Sequence, residues 1–186
     1  MGGHFILSKR LVECALEKAK MENVKVNPVC SYVKKMFDKN LKEFCDLKAY
    51  SFYGWKSKGV SANDDRIKNQ RHLYDLLSKC WSIETCAPRL RDKWSDDNIT
   101  LGQCSITAFL AQDIFGGEVY GIVLEDGSHH CFNKVNDVVF DLTSEQFGDK
   151  NLDYSNYVRE HREEHFSKKE KYDRYLLLTE RLKSVL

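Results

Sequence analysis

The sequence predicts an α+β domain in which one helix leads into a three-stranded antiparallel meander, with a helix–strand–helix appendage in front of it. Three observations carry this. Ile106, Phe109, Leu110 and Ile114 keep to the helical period, and Gly116-Gly117 closes it. The period then changes to alternation, with Val119, Gly121 and Val123 interleaving Tyr120, Ile122 and Leu124. Asp126-Gly127 and Asn136-Asp137 are turn signals that divide the rest of the meander into strands over residues 128–135 and 138–142.

The earlier elements come from the same patterns. Residues 8–21 read as a helix with Leu11, Val12, Ala15 and Leu16 as its apolar stripe. Residues 24–26 are a short strand closed by Asn27-Pro28, and residues 31–37 a second helix. The aromatics between Tyr50 and Trp55 make a strand or packed arm. The Gly/Ser/Asn/Asp cluster at 59–65 marks the expected boundary, giving an appendage over 1–60 and a main domain over 66–186. A helix is expected over 72–81, and a last one over 168–186 with Tyr172, Tyr175, Leu176, Thr179, Leu182 and Leu186 buried.

Composition limits the function classes. The chain has 186 residues, with 29 basic against 28 acidic side chains and a net charge of +1. That balance leaves no electrostatic footprint for nucleic acid or an anionic membrane. No apolar run reaches membrane-spanning length, and no secretory h-region opens the chain. Seven cysteines are irregularly spaced with no C-x-x-C pair, so reduced thiols, no metal ribbon and a cytoplasmic location are expected.

The chemistry gathers around Gly102-Gln103-Cys104. A cysteine at the first turn of a helix faces unpaired N–H groups and the positive end of the dipole, which favours thiolate. A thiol nucleophile also needs a base and a group to orient that base. The meander offers His129 or His130 and, on the next strand, Asp141, a carboxylate among apolar neighbours that is costly to bury unbonded. A two-residue turn at 136–137 pairs Val135 with Val138 and Phe132 with Asp141. His130 and Asp141 then share a face and His129 points away. A three-residue loop would reverse the choice. Gln103 offers an amide to an oxyanion, or a hydrogen bond that braces its own loop. Asn133 is read as bonding a neighbouring turn, Trp94 as a lid over the cysteine loop, and Gln146-Phe147 as capping the meander.

Cysteine at a helix start, histidine on a strand and carboxylate on the adjacent strand resemble, in that order, the papain-like and transglutaminase-like thiol enzymes. Asp141-Leu142-Thr143 is similar to the D-x-T that comes after the third strand in transglutaminase-like domains. The segments WSDDNITLGQCSITAFLAQDIFGGEVYGI, SHHCFNKV and VVFDLTSEQF together resemble the YunG-like family of small bacterial proteins, over roughly residues 73–186. Ile99 stands where that family usually has proline, and the family's histidine motif aligns with His130. Residues 1–48, with PVCSYV inside them, are similar to the C-terminal half of GNAT-type acetyltransferases. Residues 3–8 lack that family's glycine-rich pyrophosphate loop, and its preceding strands are absent.

These readings imply a papain/transglutaminase-like core and a thiol-dependent hydrolase or acyltransferase. Cys104 would attack an amide, thioester or isopeptide carbonyl, with His130 as base, Asp141 as its orienter and Gln103 toward the oxyanion. The substrate would be a peptide or an acyl group, with no nucleic acid, membrane or cofactor involved. Two alternatives stand beside this: a non-catalytic binding module of the same fold, and an acetyltransferase-derived protein that retains CoA binding. His161-Arg162-Glu163-Glu164-His165 matches the H-x-x-E-H pattern of some zinc enzymes. Its charged surroundings read as a solvated helix, and no metal is expected.

Overall fold

A computed structural model of the chain describes residues 3–28, 30–39, 48–148 and 150–186. It divides into two units, residues 1–51 and 52–186.

In the first unit, helix α1 (Gly3–Glu22) ends at Asn23, whose φ of 51° is the left-handed turn that often closes a helix. Val26 makes one parallel bridge with Lys48, and α2 (Ser31–Lys39) lies between them in sequence. Leu16, Ala19 and Phe37 form the core, with Val12, Val26 and Val33 packed on it. The inward stripe of α1 is therefore half-buried Val12 with Leu16 and Ala19: Val12 and Leu16 are as expected, while Leu11, 67 % exposed, and Ala15 face outward. Residues 3–8 form the first turns of α1 rather than a phosphate-binding loop.

The second unit starts earlier than the 59–65 cluster suggests. Phe52 is fully buried and stacks on Tyr74 at 5.1 Å. Asp141 N donates to Tyr53 O at 3.0 Å, which fastens the arm to the meander. Val60 N donates to the buried Oε1 of Gln70 in α3 (Gln70–Leu77). The polar cluster is thus a loop inside the unit. Composition marked a turn there, while the apolar anchors in front of it decide where the unit begins.

Helix α4 (Cys104–Phe115) is the central element, buried on most of its surface. Strands β1 (Glu118–Val123), β2 (His129–Val135) and β3 (Val138–Phe140) come next as the expected antiparallel meander. A fourth strand, β4 (Val158–Arg159), pairs antiparallel with β1, so the sheet order is β3-β2-β1-β4. Two residues are too few to carry a readable period, which is why β4 escapes sequence reading. The β2–β3 register pairs Val135 with Val138 and Asn133 with Phe140, as the two-residue turn requires.

Alternation along β2 then assigns its faces. Cys131 packs with Ala108, Phe109 and Val119 on the α4 side, and Asn133 Nδ2 donates to Ala108 O at 2.8 Å. That bond ties the strand to α4 and not to a turn. Phe132 lies on the other side, against Tyr120, Tyr154 and Tyr157.

Short helix α5 (Arg162–Phe166) leads to α6 (Lys169–Val185), which buries Arg174, Leu178 and Leu182. The expected stripe is displaced, with Tyr172 and Leu176 43 % and 45 % exposed. Arg174 occupies a core-facing position that an apolar template passes over.

Candidate active site

The local sequence places Cys104 with little freedom. Gly102 has a φ of 70°, and a Cβ there would come within 2.7 Å of Cys86 Sγ and 3.0 Å of Ala87 N. Glycine alone lets the loop pass this close and turn left-handed before the helix. Gln103 is the N-cap, with no capping bond from its side chain, and Cys104 opens the first turn. The buried Gln103 amide donates to Ser82 O at 2.9 Å, the loop-bracing bond of the two expected, while its Oε1 has no partner among the described residues. Trp94 Nε1 donates to Ile99 O across the same loop.

His130 and Asp141 come together as the register requires. His130 Nε2 lies 2.6 Å from Asp141 Oδ2, and both side chains are 1 % exposed. Asp141 is held from every side. Oδ2 also accepts from Tyr154 Oη at 2.8 Å, and Oδ1 accepts from Thr143 N and Oγ1 at 3.0 and 3.1 Å. This D-x-T turn fixes the carboxylate before it meets the imidazole, much as an Asx turn does. Phe147 covers the His130 ring edge-on at 4.8 Å, and Gln146 Oε1 accepts from Gly102 N, so this pair closes over the site. His129 turns away, 60 % exposed, with Nδ1 3.6 Å from Glu160.

Nε2 of His130 is taken by Asp141, so Nδ1 is the nitrogen left for the thiol. Cys104 lies within hydrogen-bonding reach of both His130 and Cys131. The bond from Cys131 is the largest influence. It outweighs burial and, with the His130 charge, holds Cys104 well below the usual thiol range. Cys131 is driven the other way, well above that range, because it donates to the Cys104 sulfur and is buried. Burial opposes charge on His130, but Asp141 and Cys104 on either side push its pKa up to about 10. Both directions favour a charged imidazole at His130 and the ionised form of the Cys104 thiol.

Sequence reasoning missed two residues here. Arg174 is buried and holds Glu170 at 2.7 Å. Its Nη1 donates to Thr85 O and Gly102 O, which braces the loop that presents Cys104. His165 belongs to no solvated helix face. It is 7 % exposed and lies against Phe109 at 4.8 Å. The spacing of Phe166, Tyr172 and Tyr175 after it, three aromatics in contact with one another, was the available signal. Cys104, His130, His165, Lys171 and Arg174 line one cavity of about 920 Å³. Among the described residues, no group of three or more His, Cys, Asp or Glu side chains could hold a metal ion. No described helix is long and apolar enough to cross a membrane.

No solved structure matches the chain. The GCN5-related N-acetyl-transferase family model matches residues 7–47 alone. The uncharacterized protein YunG of Bacillus subtilis (strain 168) is 37 % identical over 76 residues, 41 % of this chain and 61 % of that protein. The chain thus spans less than two thirds of that relative. The YunG protein family model matches residues 69–186, more than half of the sequence and all of the site from Cys104 to Arg174, and the chain belongs to that family.

Proposed function

We propose that the second unit is a thiol-dependent acyl hydrolase or acyltransferase, with a papain/transglutaminase-like arrangement of Cys104, His130 and Asp141. The observation that supports this most is the buried His130–Asp141 pair, 2.6 Å apart, set against a cysteine at the start of α4. The Cys104 thiolate attacks the carbonyl carbon of an amide, thioester or isopeptide. The N–H groups of the first turn of α4, which have no intrahelical acceptors, receive the oxyanion. The His130 imidazolium gives its Nδ1 proton to the leaving group as the tetrahedral intermediate collapses to an acyl-enzyme. Neutral His130 then takes a proton from water or an amine, which attacks the thioester and frees Cys104. Asp141 holds the ring through Nε2 throughout and keeps the reactive nitrogen facing the sulfur. The reaction needs no cofactor.

The test is acyl-enzyme trapping. Incubation with small thioesters and activated amides should add one acyl group to Cys104, seen as a mass increase on its peptide. Cys104→Ser should abolish the adduct without unfolding the protein. A properly folded protein that acquires no adduct from any acyl donor would leave the second unit as a binding module of the same fold.

A further inference from the structure

His165 is a buried titratable side chain of the cavity that this chemistry does not use. Its Nδ1 lies 3.3 Å from Lys171 Nζ. An ammonium has donors only, so Nδ1 is the acceptor and a neutral ring carries its proton on Nε2. Burial first, and the Lys171 charge second, lower the His165 pKa to about 4, so the ring stays neutral near pH 7. The Nε2–H is itself buried, and no acceptor meets it among the described residues.

A neutral acceptor does something a carboxylate would not: it fixes the ammonium and leaves its charge uncancelled. Among the described residues Lys171 has no ion pair, although it lies in the first turn of α6, where the helix dipole disfavours a cation. The other charges of the lining are largely spent. Arg174 is held by Glu170, Arg159 by Glu118, and Glu160 faces His129. Glu164 and Asp126 are exposed, as are Arg89 and Lys168 of the opposite sign.

We infer that Lys171, positioned by the His165 imidazole, forms a subsite for an anionic group, a carboxylate on the substrate, beside Cys104. The inference rests on Cys104 being a nucleophile. The Lys171 ammonium keeps two N–H donors free, and the first-turn N–H groups of α6 add to the same potential. The substrates of this site are then acyl donors that carry a negative charge near the carbonyl under attack.

The experiment uses the full chain and two alkylating reagents of similar size, anionic iodoacetate and neutral iodoacetamide. Both lose iodide to the Cys104 thiolate. Peptide mapping gives each rate at Cys104, normalised to exposed Cys14. The His130 imidazolium also attracts iodoacetate, so the readout is the change on substitution. Lys171→Met and Lys171→Gln should lower the iodoacetate-to-iodoacetamide ratio at Cys104 at least about threefold, with Cys104 still alkylated by iodoacetamide. Lys171→Arg should keep most of the ratio, and His165→Phe should lose part of it. An unchanged ratio in folded Lys171→Met and Lys171→Gln, with Cys104 still alkylated, would overturn the subsite. Both rates falling together with the ratio unchanged would show that Lys171 does not select an anionic reagent, and would overturn the subsite equally. Cys104 inert to both reagents in the unmodified protein would instead overturn the nucleophile reading beneath it.

Discussion

Replacing Asp141 by asparagine should be the most informative single change. The carboxylate accepts four hydrogen bonds, two on each oxygen. An asparagine oxygen can keep the two from Thr143. The amide nitrogen would then face Tyr154 Oη and His130 Nε2, and the ring must present a lone pair at Nε2. Its proton moves to Nδ1, so neutral His130 can no longer take the thiol proton. A charge-assisted hydrogen bond of this kind contributes about 1.5–3 kcal/mol, a factor of roughly 10–100 in the population of the imidazolium. An ordinary thiol is only about 0.3 % ionised at pH 6, so roughly 300-fold is the most that losing His130 could cost alkylation. The start of α4 and Cys131 remain in every variant. His130→Ala should therefore slow iodoacetamide labelling of Cys104 at pH 6 by roughly 30–100-fold, and Asp141→Asn by about 10-fold. His129→Ala should change the rate less than about twofold, because that ring is exposed and its Nδ1 faces Glu160. Stopped labelling with peptide mapping reads all three. Equal losses for His129→Ala and His130→Ala would replace the specific pair with a general field of nearby histidines. No change in any variant would refute the triad and leave Cys104 a structural cysteine.

Cys131→Ala should also slow Cys104 labelling, by more than about threefold, because the bond from Cys131 is the largest influence on that thiol; an unchanged rate would remove it from the site. In the native protein at pH 6, Cys104 should label at least about tenfold faster than Cys14, Cys80 or Cys86, the last two being buried thiols pushed upward. Cys45 lies outside the described residues. Cys30, exposed and bonded by the Tyr32 and Val33 N–H groups at the start of α2, is the control for a helix terminus without histidine and should rank second. His165 has its pKa lowered from 6.5 to about 4, so the unfolded chain binds the extra proton first. Stability from this group is complete above pH 6.5 and is lost as pH falls toward 4; His165→Phe should flatten that part of a urea-midpoint profile. A fragment over 52–186 should unfold at a higher temperature than one over 63–186, which loses buried Phe52 and Val60, roughly 1.5–3 kcal/mol each. Calorimetry with CoA should give no binding tighter than roughly 10 μM, about −7 kcal/mol.

The features legible in the sequence and those hidden from it divide along a physical line. The α4–meander order, the two-residue turn and the choice of His130 over His129 all depend on short-range rules, helical period, strand alternation and turn length, that are written into consecutive residues. The start of the second unit depends on Phe52 and Val60 meeting α3 and the meander, and contacts over such distances leave no local pattern. Polar composition at 59–65 therefore pointed to the wrong place. The misplaced stripe of α6 has the same origin. Arg174 and Thr179 sit at neighbouring turns with opposite conventional readings, yet it is the arginine that is buried, because carbonyls from Thr85 and Gly102 converge on it.

His165 shows why charge runs mislead most near a site. In Arg162-Glu163-Glu164-His165, three charged neighbours suggest a wet surface, and two of them, Glu163 and Glu164, are exposed. Yet of the five residues of α5 it is the histidine that is buried, because Phe109 and the neighbouring Phe166 supply the apolar wall. Arg162 closes that wall from outside, over the rings of Phe109, Phe166 and Tyr175, and it also pairs with Asp113 on α4. The same cluster that desolvates His165 therefore ties α5 to the helix carrying Cys104 and sets where Lys171 stands in the first turn of α6. A substitution in this aromatic wall, such as Phe166→Ala, should raise the His165 pKa by admitting water and loosen Lys171 at once. The histidine titration, followed by NMR, and the iodoacetate preference of Cys104 should then move together. If the titration shifts and the preference does not, the wall serves folding alone and Lys171 is positioned by something other than the imidazole.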